Sequence, residues 1–213
     1  MTHRPRIKIC GITRGEDAQL CEQLGVEALG FVFCRASKRF IEPTQAKTIT
    51  DQLAPFITCV GLFLDADTAD IEHALTELPG MIPQFHGRES AGECERFGVP
   101  YLKAIGLGAG MPSAIALAEY KQAQAFLFDS NEPGQLGGTG HVFDWQKLDQ
   151  SVEKPIILAG GLNPGNVAAA IEQVKPYAVD VSTGVELSKG VKDHQALRTF
   201  VDAVRMSAGI MQG

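Results

Sequence analysis

The sequence has no apolar run of the length that a membrane-spanning helix needs. No stretch of roughly 18 consecutive apolar residues occurs in it, and the segment MTHRPRIKIC lacks the apolar core of a secretory signal. An excess of positive charge is also missing, because 19 Lys and Arg face 25 Asp and Glu and the net charge is −6. These absences argue against a membrane protein and a nucleic-acid-binding protein. They predict a soluble, cytoplasmic protein.

Patterns typical of metal, disulfide and dinucleotide sites are missing as well. The five cysteines are scattered without a CxxC pair, and the five histidines are equally dispersed. This distribution argues against a disulfide framework and against a zinc site. The GxGxxG motif of dinucleotide-binding folds does not follow the first apolar run, where the chain has CGITRGED.

The chain instead shows a regular alternation of short apolar runs and amphipathic segments. The runs are rich in β-branched or aromatic residues, as buried parallel strands are. Eight of them span residues 6–12, 28–33, 57–63, 81–86, 101–105, 125–129, 155–160 and 177–182. Eight successive β-then-α units predict an α/β fold, a single-domain (β/α)8 TIM barrel over residues 1–213. An open doubly wound sheet is the alternative, since alternation alone does not close a sheet.

Capping residues mark the ends of several predicted helices. Gly25 is positioned to end the first helix, and Pro43 to begin the second. In NPGNVAAAIEQV, Asn163 is the predicted N-cap and Pro164 the first helical residue. The amphipathic pattern QALRTFVDAVRM predicts a last helix near the end of the chain.

Glycine and hydroxyl residues follow the seventh and eighth predicted strands. They are Gly160, Gly161, Ser182, Thr183 and Gly184. In a TIM barrel these two loops are the recurrent phosphate-binding site, because glycines let backbone amides approach an anion and hydroxyls add donors. Tight turns that only require a positive φ are the alternative. The joint placement favours a phosphate site, and therefore a small phosphorylated substrate.

Two residues at the predicted strand ends have the chemistry of an acid and a base. Asp129 closes the run AFLFD, where burial raises the pKa of a carboxyl and suits a general acid; a loop-capping role is the alternative. Cys10 closes RIKIC on the same strand face as Lys8. An unperturbed thiol is mostly protonated at neutral pH, so the residues alone favour a packed Cys10 over a base.

Other polar residues at the same end of the predicted barrel have two open interpretations each. Arg39 is either a bidentate carboxylate ligand or a solvated charge, and His86 either faces the barrel mouth or caps a loop. Lys8 and Asp180 lie on the first and eighth strands, which are neighbours in a closed barrel, so we expect them to pair.

A set of motifs in this order resembles the phosphoribosylanthranilate isomerase family along nearly the whole chain. The matching segments are KICGIT, ALGFVF with SKR, VGLF, QFHG, FD with GGTG and FDW, LAGGLNPGNV, and VDVSTGVE with KD. The resemblance implies an isomerase of tryptophan biosynthesis, built as one TIM barrel, without metal or cofactor. Its reaction is an Amadori rearrangement of N-(5-phosphoribosyl)anthranilate. A monomer is favoured over a homodimer.

The resemblance also implies roles for individual residues. Cys10 matches the family's general base, and Asp129 its general acid. The substrate-binding residues implied in this way are Arg39 for the anthranilate carboxylate, Gly138 and Gly140 of the GGTG loop, His86 and Asp180. Gly160, Gly161, Ser182, Thr183 and Gly184 match the phosphate loops. Gly11 is interpreted as the residue that keeps the strand mouth open for substrate.

Two departures from the family pattern and two rival functions remain. Lys38 replaces the usual proline before Arg39, and Thr183 replaces a serine but keeps the hydroxyl. A metal-dependent ribulose-phosphate-type epimerase would need a His/Asp set at the strand ends, where only His86 is suitably placed. A catalytically inactive barrel that only binds a partner is disfavoured because Cys10 and Asp129 are both present.

Overall fold

Eight parallel strands form a closed barrel in the computed structural model, which describes residues 4–108, 110–131, 148 and 152–207. The strands follow one another around the barrel in chain order, and β1 pairs with β8. They are β1 Arg6–Cys10, β2 Ala28–Val32, β3 Thr58–Phe63, β4 Ile82–Phe85, β5 Tyr101–Gly106, β6 Ala123–Asp129, β7 Ile156–Leu158 and β8 Ala178–Val181. The barrel prediction is confirmed, and the open sheet is excluded.

Helices follow most of the strands on the outside of the barrel. Those in the described part of the chain are α1 Gly15–Gln23, α2 Pro43–Thr50, α3 Thr68–Glu77, α4 Ala91–Glu95, α5 Ala114–Ala118, α6 Val167–Val174 and α7 His194–Ser207. None of these described helices is long and apolar enough to cross a lipid bilayer.

The predicted helix ends are confirmed at two places and wrong at a third. Gly25 follows α1 with φ +63°, and Pro43 is the first residue of α2. However, α6 begins at Val167, three residues after the predicted start. The side-chain oxygen of Asn163 accepts a hydrogen bond from the Gly165 amide at 2.8 Å, which makes a local turn instead of a helix N-cap.

The alternation of side chains along each strand divides the interior into two apolar regions. On β6, Phe126 and Phe128 pack outward against the helices, whereas Ala125 and Leu127 fill the barrel interior. Asp129 continues the inward-facing series at the carboxyl end of the strand. The pattern of apolar residues therefore places its carboxyl group at the mouth of the barrel.

A short insertion separates β8 from the last helix. A 3₁₀ turn at Thr183–Val185 leads into strands β9 Glu186–Ser188 and β10 Val191–Lys192, which pair antiparallel. We call residues 186–192 the β9–β10 hairpin. It brings Glu186 and Lys192 back against the end of β1, because Lys192 Nζ donates a hydrogen bond to the Cys10 carbonyl at 2.6 Å.

Candidate active site at the carboxyl ends of the strands

Cys10 is the last residue of β1 and is almost completely buried. Cys10 is paired with Gly30 on the neighbouring strand β2. A Cβ atom at position 30 would lie 2.8 Å from Cys10 Sγ and 3.1 Å from Lys8 Nζ. The absence of a side chain at position 30 therefore leaves the room that the thiol and the ammonium group occupy. Lys8 in turn donates a hydrogen bond to Asp180 at 2.8 Å, which confirms the predicted pair between β1 and β8.

The charges around Cys10 act in opposite directions on its thiol. Burial raises the pKa of Cys10, the nearby Lys8 and Lys192 ammonium groups lower it, and the Asp180 carboxylate raises it further. The net pKa is raised, so the thiol is protonated at neutral pH in this structure. The two cations are nevertheless the groups that stabilise a thiolate once it forms.

Asp129 lies at the end of β6 with its carboxyl group buried. Burial raises its pKa, although Asn131 opposes the rise by donating its backbone N–H at 3.1 Å and its side-chain amide to the same carboxylate oxygen. The net pKa lies above that of an ordinary aspartic acid. Such a carboxyl retains its proton to higher pH, which suits a general acid.

His86 points into the barrel mouth beside Asp129 and is buried as well. Its Nε2 lies 3.9 Å from the Asp129 carboxylate, and its Nδ1 is 3.2 Å from the side-chain nitrogen of Gln84. Burial, together with the Lys8 and Lys103 charges, lowers the pKa of His86 to about 4. The ring is therefore neutral at physiological pH, and with Gln84 donating to Nδ1 it carries its proton on Nε2, toward Asp129.

Arg39 is buried at the barrel mouth, which excludes the interpretation of a solvated surface charge. Its guanidinium group makes a bidentate ion pair with Glu186, at 2.9 Å from Nε and 2.6 Å from Nη2, and it also donates to the Thr183 hydroxyl at 2.8 Å. The aliphatic part of Arg39 fills the space beside Gly11, where a Cβ would lie 2.5 Å from Arg39 Cδ. The interpretation of Gly11 as an opening for substrate is therefore wrong, because the arginine occupies that space.

The loops after β7 and β8 lie against each other. Gly160 and Gly161 have φ values of +80° and +71°, and a Cβ at Gly184 would lie 2.0 Å from the Leu162 carbonyl. Within the described residues, the amides of Gly161 and Gly184 donate to no other group, and the buried hydroxyl of Ser182 has no hydrogen-bond partner. Unpaired donors of this kind are what an anion site supplies.

Two adjoining cavities lie among these groups. One, of about 100 Å³, is lined by the two glycine loops, and the other, of about 60 Å³, is lined by Cys10, Arg39, Gln84 and His86. Asp129, Asp180 and Ser182 line both cavities. Larger clefts lie elsewhere. One, of about 330 Å³, lies between α3 and α4, and the other, of about 460 Å³, lies between the α2–β3 and α3–β4 connections. Neither contains Cys10 or Asp129.

The structure thus brings together most of the residues that the sequence singles out. Gly138 and Gly140 of the GGTG motif lie outside the described residues. Among the described residues, no group of three or more His, Cys, Asp or Glu side chains is arranged to hold a metal ion. The site also includes residues that sequence reasoning missed, namely Gly30, Gln84, Asn131, Glu186 and Lys192. Glu186 and Lys192 stand in the VDVSTGVE and KD segments. These segments match the family pattern, but the sequence alone assigned no chemical role to the two residues.

Comparisons with known proteins point to one enzyme family. Residues 7–203 match a family model described as N-(5'-phosphoribosyl)anthranilate (PRA) isomerase. A curated N-(5'-phosphoribosyl)anthranilate isomerase from Pseudomonas fluorescens strain SBW25 is 49% identical over 206 residues, which cover 97% of this chain and 98% of the relative.

Solved structures with the same name share the fold. The crystal structure of the Thermus thermophilus protein superposes with a TM-score of 0.84 at 37% identity, covering 94% of this chain and 98% of the other. A second one, in complex with reduced 1-(o-carboxyphenylamino)-1-deoxyribulose 5-phosphate, has a TM-score of 0.81 at 33% identity, with 95% and 99% covered. A third, from Thermotoga maritima, is described as monomers of a dimeric enzyme and has a TM-score of 0.80 at 32% identity, with 95% and 99% covered.

Proposed function

The chain belongs to the N-(5'-phosphoribosyl)anthranilate isomerase family, and we propose that Cys10 and Asp129 are the base and the acid of its reaction. The enzyme is an isomerase of tryptophan biosynthesis. It converts N-(5-phosphoribosyl)anthranilate into 1-(2-carboxyphenylamino)-1-deoxyribulose 5-phosphate, an Amadori rearrangement. The reaction opens the furanose ring and moves a proton away from C2′, so it needs one proton donor and one proton acceptor.

Asp129 is the proposed donor. Its raised pKa favours the protonated carboxyl more than in an ordinary aspartic acid, and in the proposed step that proton goes to the ring oxygen as the C1′–O bond breaks. The product of this step is an iminium ion between C1′ and the anthranilate nitrogen. The neutral His86 beside Asp129 adds an Nε2–H donor without adding a positive charge that would hold Asp129 in its ionised form.

Cys10 is the proposed acceptor. As a thiolate it removes the C2′ proton from the iminium ion, which gives an enol-amine that tautomerises to the amino-ketose. Lys8 and Lys192 stabilise the thiolate electrostatically. The positive charge of the iminium ion also acidifies C2′, so a thiolate present as a minor species is a sufficient base.

The two adjoining cavities correspond to the two ends of the substrate. The glycine loops with Gly160, Gly161 and Gly184 and the Ser182 and Thr183 hydroxyls form the proposed phosphate site. Arg39 faces the other cavity and is the proposed ligand of the anthranilate carboxylate. Asp129, Asp180 and Ser182 lie where the cavities meet, so the ribose reaches the acid and the base between its two anionic ends. The GGTG glycines, Gly138 and Gly140, are kept as substrate-binding residues on the motif match alone.

The observation that carries the proposal is that Cys10 and Asp129, two buried residues from distant strands, line one cavity. Replacing Cys10 with Ser, or Asp129 with Asn, is expected to lower kcat by about 10²- to 10⁴-fold, the usual worth of a positioned acid–base group. The loss of fluorescence from freshly formed phosphoribosylanthranilate, without added metal, measures the rate. Cys94→Ser, which changes another buried free thiol away from the site, is the matched control. Full activity in Cys10→Ser would show that the thiol only packs.

The proposed partner of the protein is its phosphorylated substrate alone. We propose that the chain works as a monomer, in which one barrel carries the proposed acid, base and anion-binding residues.

A further inference from the structure

Glu186 and Lys192 form a buried ion pair on the β9–β10 hairpin, next to the proposed catalytic base. The side chains are 2% and 0% exposed, and Lys192 Nζ lies 2.9 Å from Glu186 Oε1. Burial alone would raise the pKa of Glu186, but the Arg39 hydrogen bonds and the Lys192 charge bring it below its usual range. Glu186 is therefore a fixed carboxylate between two cations.

The hydrogen bonds of Arg39 leave only part of its guanidinium group available to a ligand. An arginine carries five N–H donors. The Nε donor and one Nη2 donor bind Glu186, and the second Nη2 donor binds Thr183. Glu186 thus occupies the Nε edge of the planar fork. The two donors of Nη1 are left without a partner among the described residues, and Arg39 lines the cavity that contains Cys10.

We propose that Glu186 is a positioning residue. It binds the Nε and Nη2 edge of the Arg39 guanidinium group, so that only Nη1 is presented to the carboxylate of the substrate. The inference rests on the carboxylate-binding role of Arg39 proposed above. It adds a specificity device to that role, since a guanidinium held along its Nε edge can donate to a ligand only from Nη1, which limits where a carboxylate can bind.

Lys192 connects this device to the catalytic base. Its ammonium group donates to the Glu186 carboxylate, to the Cys10 carbonyl at 2.6 Å and to the Ser182 carbonyl at 3.4 Å. A second contact between the hairpin and the segment after β1 is the hydrogen bond that the Thr13 hydroxyl donates to the Gly190 carbonyl, in the turn of the hairpin. The position of Arg39 is therefore set relative to Cys10 through two charged side chains, and not only through the loop that carries it.

The test is Glu186→Asp, which keeps the negative charge but withdraws the carboxylate from Arg39 by one methylene. Two inhibitors are compared, namely reduced 1-(o-carboxyphenylamino)-1-deoxyribulose 5-phosphate, which is an analogue of the product, and the same reduced compound without its carboxyl group. We expect the inhibition constant of the carboxylated compound to rise about tenfold, the loss of one charge-assisted hydrogen bond. The compound without the carboxyl group is expected to bind as it does to the wild type.

Glu89→Asp is the matched control, because Glu89 also pairs with a buried lysine, Lys103, at 2.9 Å but does not line the site. It should lower the melting temperature without changing the ratio of the two inhibition constants. If Glu186→Asp does not fold, Glu186→Gln keeps the length of the side chain and is judged by the same ratio. A selective loss of the carboxylated inhibitor supports the proposal. An unchanged ratio, or tighter binding of that inhibitor, overturns it and makes Glu186 only a neighbouring charge.

The activity of the wild type and the inhibitor ratio of Arg39→Lys, measured alongside, separate this inference from the function on which it rests. A wild-type protein without isomerase activity would remove both. An active wild type in which Arg39→Lys leaves the inhibitor ratio unchanged would refute the role of Arg39. An active wild type that needs Arg39 but tolerates Glu186→Asp would refute only the positioning role.

Discussion

The close approach of Gly30 to Cys10 makes Gly30→Ala a sharp perturbation of the proposed base. The added Cβ would lie 2.8 Å from Cys10 Sγ, 3.1 Å from the Cys10 Cα and 3.1 Å from Lys8 Nζ, whereas ordinary contacts of a Cβ begin near 3.4 Å. The thiol cannot satisfy this by rotation alone, because the Cys10 backbone is also too close. By that criterion the thiol has to move by about 0.6 Å and the backbone of β1 by about 0.3 Å. Because a misplacement of about 1 Å at a reacting group costs about 10²-fold in rate, we expect this smaller displacement to cost about tenfold.

The same change also strains the packing, so stability has to be measured beside activity. Overpacking of this kind costs about 1–3 kcal/mol of unfolding free energy. For a chain of this length, each kcal/mol lowers Tm by about 2–4 °C. We expect Gly30→Ala to melt several degrees below the wild type and to show a kcat about tenfold lower in the fluorescence assay at a temperature where the variant is folded.

Gly61→Ala supplies the control for Gly30→Ala. Gly61 lies on β3, and its Cβ would be 2.4 Å from Met81 Sδ and 2.8 Å from the Phe33 ring, in the apolar region outside the barrel. It should lower Tm by a similar amount and leave kcat unchanged. A Gly30→Ala variant with wild-type kcat would refute the reasoning, because the thiol would then tolerate displacement and would not be the base.

Two further predictions concern pH and assembly. The pKa of Asp129 and the pKa of Cys10 are both raised. The active form, which has a protonated Asp129 and a deprotonated Cys10, is a minor species. We therefore expect kcat/KM to rise with pH through the Asp129 pKa, to stay level, and to fall through the Cys10 pKa. A rate that keeps rising through the thiol titration, followed independently by the pH dependence of Cys10 alkylation, would contradict this assignment. The proposed monomer predicts one species of 22.8 kDa by light scattering at assay concentrations, and a mass twice as large would contradict it.

The fold was predictable because the apolar runs of the sequence carry the period of buried parallel strands. All eight predicted strands occur within two residues of their expected ends, and the pairing of Lys8 with Asp180 followed from the closure of the barrel. The start of α6 was not predictable from capping preferences, because the Asn163 side chain hydrogen-bonds a nearby amide in a turn as readily as it caps a helix.

The sequence predicted those site residues that stand at the ends of strands. It did not predict the residues whose role depends on contacts between distant segments. Arg39 and Glu186 are 147 residues apart, and their bidentate contact depends on how the β9–β10 hairpin folds back over β1. Nothing in local periodicity encodes that return. The role of Gly30 was hidden for a different reason, since a glycine within a strand shows its purpose only when the atoms that occupy its missing side chain are known.

The charges around the site explain how a thiolate base can form beside a substrate with two anionic ends. Lys8, Arg39 and Lys192 face Asp180 and Glu186, which leaves one positive charge in excess near Cys10. The proposed phosphate site uses amides and hydroxyls of the loops after β7 and β8, so the phosphate consumes none of these cations. In the proposal above, the substrate carboxylate binds Nη1 of Arg39, on the side of the guanidinium group away from Glu186. Lys8 and Lys192 therefore stay available to the thiolate throughout the reaction, and we infer that the separation of the anion sites is what allows a buried cysteine to act as the base.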